Sequence, residues 1–281
     1  MGRVGRVDSH QHFWRYSAAE YGWIDDSMAA LRREFLPADA RLEMDRAGID
    51  ACVAVQARQT LEETRWLLEL AHANPFVAGV IGWIDLQSPD AAEQLEPFAR
   101  HPKLIGLRHI VQSEADDRFM LRPAFCRGIS LLADRGLTYD ILIYPRHLPA
   151  AIDLVARFPR QRFVLDHLAK PDIRARELRD WEKGIRALAE FPLVFCKLSG
   201  LVTEADWINW TPSHIRPYVD VALDSFGSHR LLFGSDWPVC TLAADYARVV
   251  ALVEDCLANR PEAEREAVMG GNAVRLWDLK I

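Results

Sequence analysis

The chain contains no Cys-x-x-Cys pair, and its five cysteines (Cys52, Cys126, Cys196, Cys240 and Cys256) are scattered. That spacing excludes a thiolate zinc site and argues against a disulfide framework. Cys52 and Cys196 sit inside apolar runs, where small buried thiols are expected. There is no run of eighteen apolar residues, and the start MGRVGRVDSHQHFW lacks an apolar core of signal-peptide length;. A reducing cytoplasm is the expected compartment. No G-x-S-x-G motif occurs, which disfavours a serine nucleophile;. Positive charge is not in excess: the net charge of −6 argues against nucleic-acid partners and against anionic membranes;. No Gly/Ser linker, charge block or shift in composition divides the 281 residues, so one domain over 1–281 is expected;.

What the chain does have is alternation. Short β-rich runs are predicted over 6–14, 50–56, 77–84, 104–110, 138–143, 162–167, 193–199 and 230–236. ACVAVQ, VAGVIGW and LLFGSD are brief and nearly continuously apolar, the pattern of parallel strands buried on both faces. Segments of helical period lie between them, such as PADARLEMDRAG with Gly48 as its stop, and others ending near Gly136 and Gly227;. Long loops are predicted over 15–36 and 200–215. Eight strand–helix units predict an α/β fold closed as a (β/α)8 barrel. An open doubly wound sheet would need a Gly-rich phosphate turn after the first strand, and that place holds His-Gln-His.

In such a barrel, function gathers at the carboxyl ends of the strands. The first strand ends Asp8-Ser-His10-Gln-His12, and residues two apart share a face, so both imidazoles can converge on one divalent ion such as zinc;. A lone H-x-H is more often a pair of hydrogen-bonded core histidines. The sixth strand ends Asp166-His167 and the eighth Gly-Ser-Asp236-Trp-Pro. Closure sets the eighth strand beside the first, so Asp236 can touch a metal and a water together and accept the water's proton. Its alternative is a turn-capping Asp. Arg108 and Lys197 lie in apolar strands, where a cation needs a paired carboxylate or a polar cavity. Either can hold a substrate oxygen, while an internal pair of Lys197 with Asp140 is the simpler reading. Gln56 ends the second strand as a candidate hydroxyl reader, and Lys170 reads equally as a solvated loop residue. Trp14, Trp23, Trp83, Trp207, Trp210 and Trp237 fall near strand ends, where indoles pack either on sugar rings or on the barrel rim;.

These motifs, in this order, resemble the amidohydrolase superfamily, and within it the aldonolactonase branch that includes L-fuconolactone and L-rhamnonolactone hydrolases. The resemblance runs from residue 7 to about 278, through VAGVIGWIDL, IGLRH, FVLDHLAKP, CKLSGLVTEADW, LLFGSDWPV and GGNAVRLW. It implies His10 and His12 as metal ligands, Asp236 as general base and metal ligand, and His167 as a second ligand or as the group that polarises the scissile carbonyl. Many metal-dependent members carry a histidine or a modified lysine after the fourth or fifth strand, whereas here the fifth ends Asp140-Ile-Leu-Ile-Tyr144. At most one divalent metal, zinc by preference, is therefore expected, and metal-independent action with Arg108 and Lys197 in its place stays open. The implied substrate is a neutral sugar lactone read by Arg108, Lys197, Gln56 and Trp23. A decarboxylase, or a hydrolase of an anionic aromatic or dicarboxylate-type substrate, is the alternative, and it would demand more arginine at the mouth than Arg108 alone.

Overall fold

Each of the eight apolar runs forms a short strand in the computed structural model, which describes residues 5–281. The first four residues of the expected domain lie outside the described ones. The strands are β1 (Val7–Gln11), β2 (Ala51–Val55), β3 (Val77–Gly82), β4 (Leu104–His109), β5 (Thr138–Ile141), β6 (Phe163–Leu165), β7 (Val194–Leu198) and β8 (Leu231–Phe233). A helix follows each in turn: α1 (Pro37–Ala47), α2 (Leu61–Ala73), α3 (Ala91–Ala99), α4 (Pro123–Ile129), α5 (Leu148–Arg157), α6 (Arg179–Ala189), α7 (Pro212–Phe226) and α8 (Tyr246–Leu257). All neighbouring strands pair in parallel, in sequence order. A parallel bridge between Gln11 and Trp237 joins the eighth strand region to the first, with His12 N–H donating to Trp237 O at 2.7 Å. The fold is the expected (β/α)8 barrel.

Every strand residue except Phe195 is buried, which explains the near-continuous apolar runs: one face meets the barrel interior, the other the helices;. The amino-terminal half of the interior is apolar, filled by Val7, Val53, Val55, Ile81, Val164 and Leu232. Two short helices, α9 (Glu262–Glu266) and α10 (Asn272–Trp277), end the chain, and Leu276, Trp277 and Leu279 join that cluster as a plug. The Trp277 indole N–H donates to Thr138 Oγ1 at 3.1 Å, so its polar atom is satisfied inside the barrel;. Helix α1 ends at Gly48 in the left-handed region (φ 68°), as its sequence predicts;. Gly136 and Gly227 follow helical segments in the same way.

The observed strands stop short of the predicted ones, mostly at their carboxyl ends. His12, Asp166, His167 and Asp236 all lie just past the ladder. Leaving the ladder frees the backbone to aim these side chains. The loop 15–36 is tied down by antiparallel pairing of Trp14 with Phe35 and contains a 3-10 turn at Asp26–Leu31. The loop predicted over 200–215 is shorter, because α7 begins at Pro212, where proline suits a first helical turn;. No helix among the described residues is long and apolar enough to cross a membrane.

Candidate active site and metal centre

His10 and His12 converge as their spacing requires, with Nε2 atoms 3.2 Å apart. A register shift in β1 between Asp8 and Gln11 helps aim them;. Val7 packs into the interior cluster while Asp8 turns outward to α8, where it accepts from Tyr246 Oη at 2.9 Å. Asp8 also accepts from the N–H groups of His10 (3.1 Å) and Ser235 (2.9 Å), and from the Ser235 hydroxyl (2.5 Å). One carboxylate thus ties the end of β1 to the end of β8. Burial raises its pKa to about 6, with the Ser235 hydrogen bonds chief among those that restrain the rise;.

Asp236 Oδ1 lies 3.4 Å from His12 Nε2 and 3.7 Å from His10 Nε2. His12 Nδ1 sits 2.8 Å from Val55 O and must carry the proton to donate there, which leaves the Nε2 lone pair free;. Burial, above all, pushes the His10 pKa well below its ordinary value, so this imidazole is neutral. Three donors therefore face one point. A tetrahedral zinc with bonds near 2.0–2.1 Å separates its ligand atoms by about 3.3 Å, close to the spacings here. Burial raises the Asp236 pKa, but its surroundings, His167 first and then His12 and His10, lower it further, so the carboxylate form is favoured. Its contacts are imidazoles, not cations, so the set carries an uncompensated negative charge suited to a divalent ion;.

A second candidate group, His10, Asp166 and His167, shares one imidazole with the first. Its carboxylate is already occupied. Lys197 Nζ lies 2.9 Å from Asp166 Oδ1 and 2.5 Å from Asp140 Oδ2, while Arg108 Nη1 donates to Asp166 Oδ2 at 2.9 Å. Two carboxylates and two cations balance within the barrel, as buried charges must. Burial opposes ionisation of Asp166, but Lys197 and then His10 and Arg108 prevail and keep it ionised. The occupied carboxylate leaves no charge for a second metal.

His167 has its ring 4.4 Å from that of His10 and its Nδ1 2.9 Å from Ser199 Oγ. Burial lowers its pKa to about 4, so it too is neutral at physiological pH. The backbone around it is unusual: His167, Leu168, Ala169 and Lys170 all have φ between 50° and 58°. Each such non-glycine residue costs roughly 1–2 kcal/mol, and strain of this kind gathers at functional sites. Gly200 (φ 64°) backs the turn, and a Cβ there would lie 2.6 Å from His167 Nδ1.

A protein-family model described as amidohydrolase matches residues 7–279. The chain belongs to the amidohydrolase family. An L-fucono-1,5-lactonase of Burkholderia multivorans is 45% identical over 99% of this chain and 97% of its own length. Another, of Burkholderia ambifaria, is 40% identical over 98% and 96% respectively. The crystal structure of an amidohydrolase from Burkholderia multivorans with bound zinc superposes with a TM-score of 0.95 at 44% identity, covering 99% of this chain and 100% of that one. The resemblance read from the motifs holds along the whole barrel.

Within this amidohydrolase, the structure brings His10, His12, His167, Asp236 and Arg108 together and leaves three expected substrate readers elsewhere. Lys197 has no exposed surface, and its ammonium is held by Asp140 and Asp166, so the internal ion pair is the arrangement adopted. Gln56 is equally buried, its Nε2 donating to Arg108 O at 3.2 Å while its own carbonyl accepts from the Arg108 guanidinium. It braces Arg108 and does not face solvent. Trp23 is 41% exposed and meets Trp14 edge to face at 5.9 Å, on the outer loop. Trp14, Trp210 and Trp237 are buried and pack the rim. Sequence reasoning gave no role to Asp166, Asp8 or Ser199. The first two had a legible signal, an acid directly before or two residues before a strand-end histidine; Ser199 had none.

Proposed function

We propose that this amidohydrolase, acting as one barrel domain, hydrolyses a neutral sugar lactone such as L-fucono-1,5-lactone to the aldonic acid. The observation that carries the reading is the convergence of His10, His12 and Asp236 on one point beside a neutral His167, in a chain whose similar relatives are L-fucono-1,5-lactonases. A single divalent ion, zinc as in the Burkholderia multivorans structure, is held by His10, His12 and Asp236 and supplies Lewis-acid polarisation;.

The chain's own groups do the rest. Asp236 accepts a proton from the attacking water, whose oxygen bonds to the lactone carbonyl carbon. His167 Nδ1 lies 2.9 Å from Ser199 Oγ; with the hydroxyl donating, the imidazole proton sits on Nε2, ready to donate to the carbonyl oxygen as negative charge develops there. The bond from carbonyl carbon to ring oxygen breaks, and that oxygen leaves as a hydroxyl with the proton Asp236 had taken. Net reaction consumes water and releases one proton from the carboxylic acid formed. Arg108, donating to Asp166, positions the carboxylate that lies 3.3 Å from His10 Nδ1 and so orients the His10 ring. The anionic alternative is disfavoured at the reacting end, where Arg108 is neutralised by Asp166 and Lys197 is sealed inside, while the cations of the neighbouring cleft, Arg146, Lys170 and Arg174, stand among Asp172, Glu177, Glu204 and Asp206.

Proton release from a panel of neutral aldonolactones and unsaturated dicarboxylate lactones tests the assignment. Turnover of the neutral sugars is expected; turnover confined to the dicarboxylates overturns it.

A further inference from the structure

A cleft of about 890 Å³, whose wall includes Lys170 at the end of the turn that begins at His167, is not used by the catalytic reading. Its walls come from loops after β1, β5, β6 and β7, and include Met28, Tyr144, Lys170, Thr203, Glu204 and Trp207. Two features connect it to the site. The left-handed turn at 167–170 closes with Lys170 N–H donating to His167 O at 2.7 Å. With about three residues per such turn, positions 167 and 170 stack on one face. The turn thus brings the Lys170 ammonium near enough for its charge to lower the His167 pKa. On the facing loop, Gly200 touches His167, and four residues later Glu204 meets Lys170 at 3.3 Å. Lys170 adds its field to that of His167, and Glu204 to that of Asp236, consistent with close approach.

The pair is four-fifths buried yet borders the cleft. An ammonium carries three donors and a carboxylate about four acceptor positions, so one contact leaves both with capacity to spare. Together they offer a donor and an acceptor side by side with no net charge. A hydroxyl matches this on its own, accepting from Lys170 and donating to Glu204; a vicinal pair of hydroxyls matches it twice. A carboxylate matches only the Lys170 half of the pair and is repelled by Glu204; the other cations of the cleft wall, Arg146 and Arg174, are accompanied there by Asp172, Glu177 and Asp206. Met28, Tyr144 and Trp207 supply apolar surface for the carbon skeleton; the Trp207 indole N–H already donates to Thr203 O at 2.8 Å.

We propose that the Lys170–Glu204 pair is the element that selects the substrate, reading vicinal hydroxyls of an uncharged polyol lactone whose carbonyl lies at His167 and Asp236. The proposal rests on the lactonase reading for its reacting carbonyl, and two measurements keep them apart. The first is the ratio of kcat/KM for a six-carbon deoxyaldonolactone to that for an unsubstituted lactone of the same ring size. The second is binding of a six-carbon deoxyalditol, which cannot react, followed by tryptophan fluorescence. Lys170→Met and the near-isosteric Glu204→Gln are compared with the parent protein, each checked for folding by thermal denaturation. The ratio and the alditol affinity should both fall at least about tenfold in each variant, since a site built to hydrogen-bond hydroxyls loses its preference when they go unpaired. A ratio within about twofold of the parent value in both folded variants overturns the proposal and leaves lactone hydrolysis standing. If the parent turns over neither lactone, the lactonase reading falls. The alditol then decides alone: pair-dependent binding upholds the cleft's role, and absent or unchanged binding removes it.

Discussion

The two halves of the barrel interior are equally buried and held together by opposite means. Below, Val53, Val55, Ile81, Val164, Leu232 and the Trp277 plug exclude water by apolar packing. Above, Asp140, Asp166, Lys197 and Arg108 are just as dry and survive only by pairing. Apolar burial is non-directional and stabilises each large side chain by about 1.5–3 kcal/mol. Buried ion pairs roughly break even against apolar replacements of the same shape. A chain that needed only stability would carry the lower pattern throughout. The upper half therefore exists for the site it supports: Lys197 and Arg108 hold Asp166, whose Oδ1 lies 3.3 Å from His10 Nδ1 and orients that ring.

Breaking the upper half should cost most. Lys197→Met strands Asp140 and Asp166 without their shared cation, and a loss of about 3–5 kcal/mol is expected by urea denaturation. A loss below about 1 kcal/mol would mean the carboxylates take up protons at no expense. Removing the plug should cost somewhat less: Trp277→Ala leaves a cavity and takes one hydrogen bond from Thr138 Oγ1, for about 3 kcal/mol;. Trp277 meets the upper half only through its ring face, 6.0 Å from Lys197 Nζ, so kcat/KM of the folded variant should stay within about threefold of the parent; a larger fall would show that the two halves are coupled through Lys197.

The occupancy of the upper half also limits metal. Since both oxygens of Asp166 already face cations, elemental analysis should find no more than one divalent ion per chain. Two tightly held equivalents would show that the second group, His10, Asp166 and His167, is a metal site after all.

A smaller effect separates burial from pairing outside the barrel. Glu63 on α2 is buried, accepts from the Ala57 and Arg58 N–H groups, and burial raises its pKa from 4.5 to about 7. Its unfolded form ionises first as pH rises, so stability is full below about pH 4.5 and falls as pH rises through 7;. Glu63→Gln keeps an acceptor and removes the titration. Its Tm should vary less than the parent's between pH 5 and pH 8, and parallel curves would exclude Glu63 as a source of pH dependence.

The barrel was legible because both faces of its strands are buried, so ACVAVQ or LLFGSD reads as a strand without further context. His10 and His12 were legible from the two-residue period of a strand, and Asp236 from closure of the eighth strand onto the first. Partners were legible only in part. For Lys197 the pair with Asp140 was legible as the simpler reading of a cation in an apolar run, but the second carboxylate, Asp166, was not. The hydrogen bonds that tie Gln56 to Arg108 had no sequence signal. The left-handed turn at 167–170 had almost no signal, since of His, Leu, Ala and Lys only His is enriched at positive φ;. Lys170, read equally as a solvated loop residue, gains its significance only from that turn.

The account turns on Asp236 as the group that takes the proton of water. Initial rates of proton release from a six-carbon deoxyaldonolactone, measured side by side for the parent and Asp236→Asn with zinc content determined in both, test it most directly. The account predicts a kcat lower by at least about a hundredfold in a folded variant, the loss expected for a general base. Near-normal turnover by folded Asp236→Asn would contradict it.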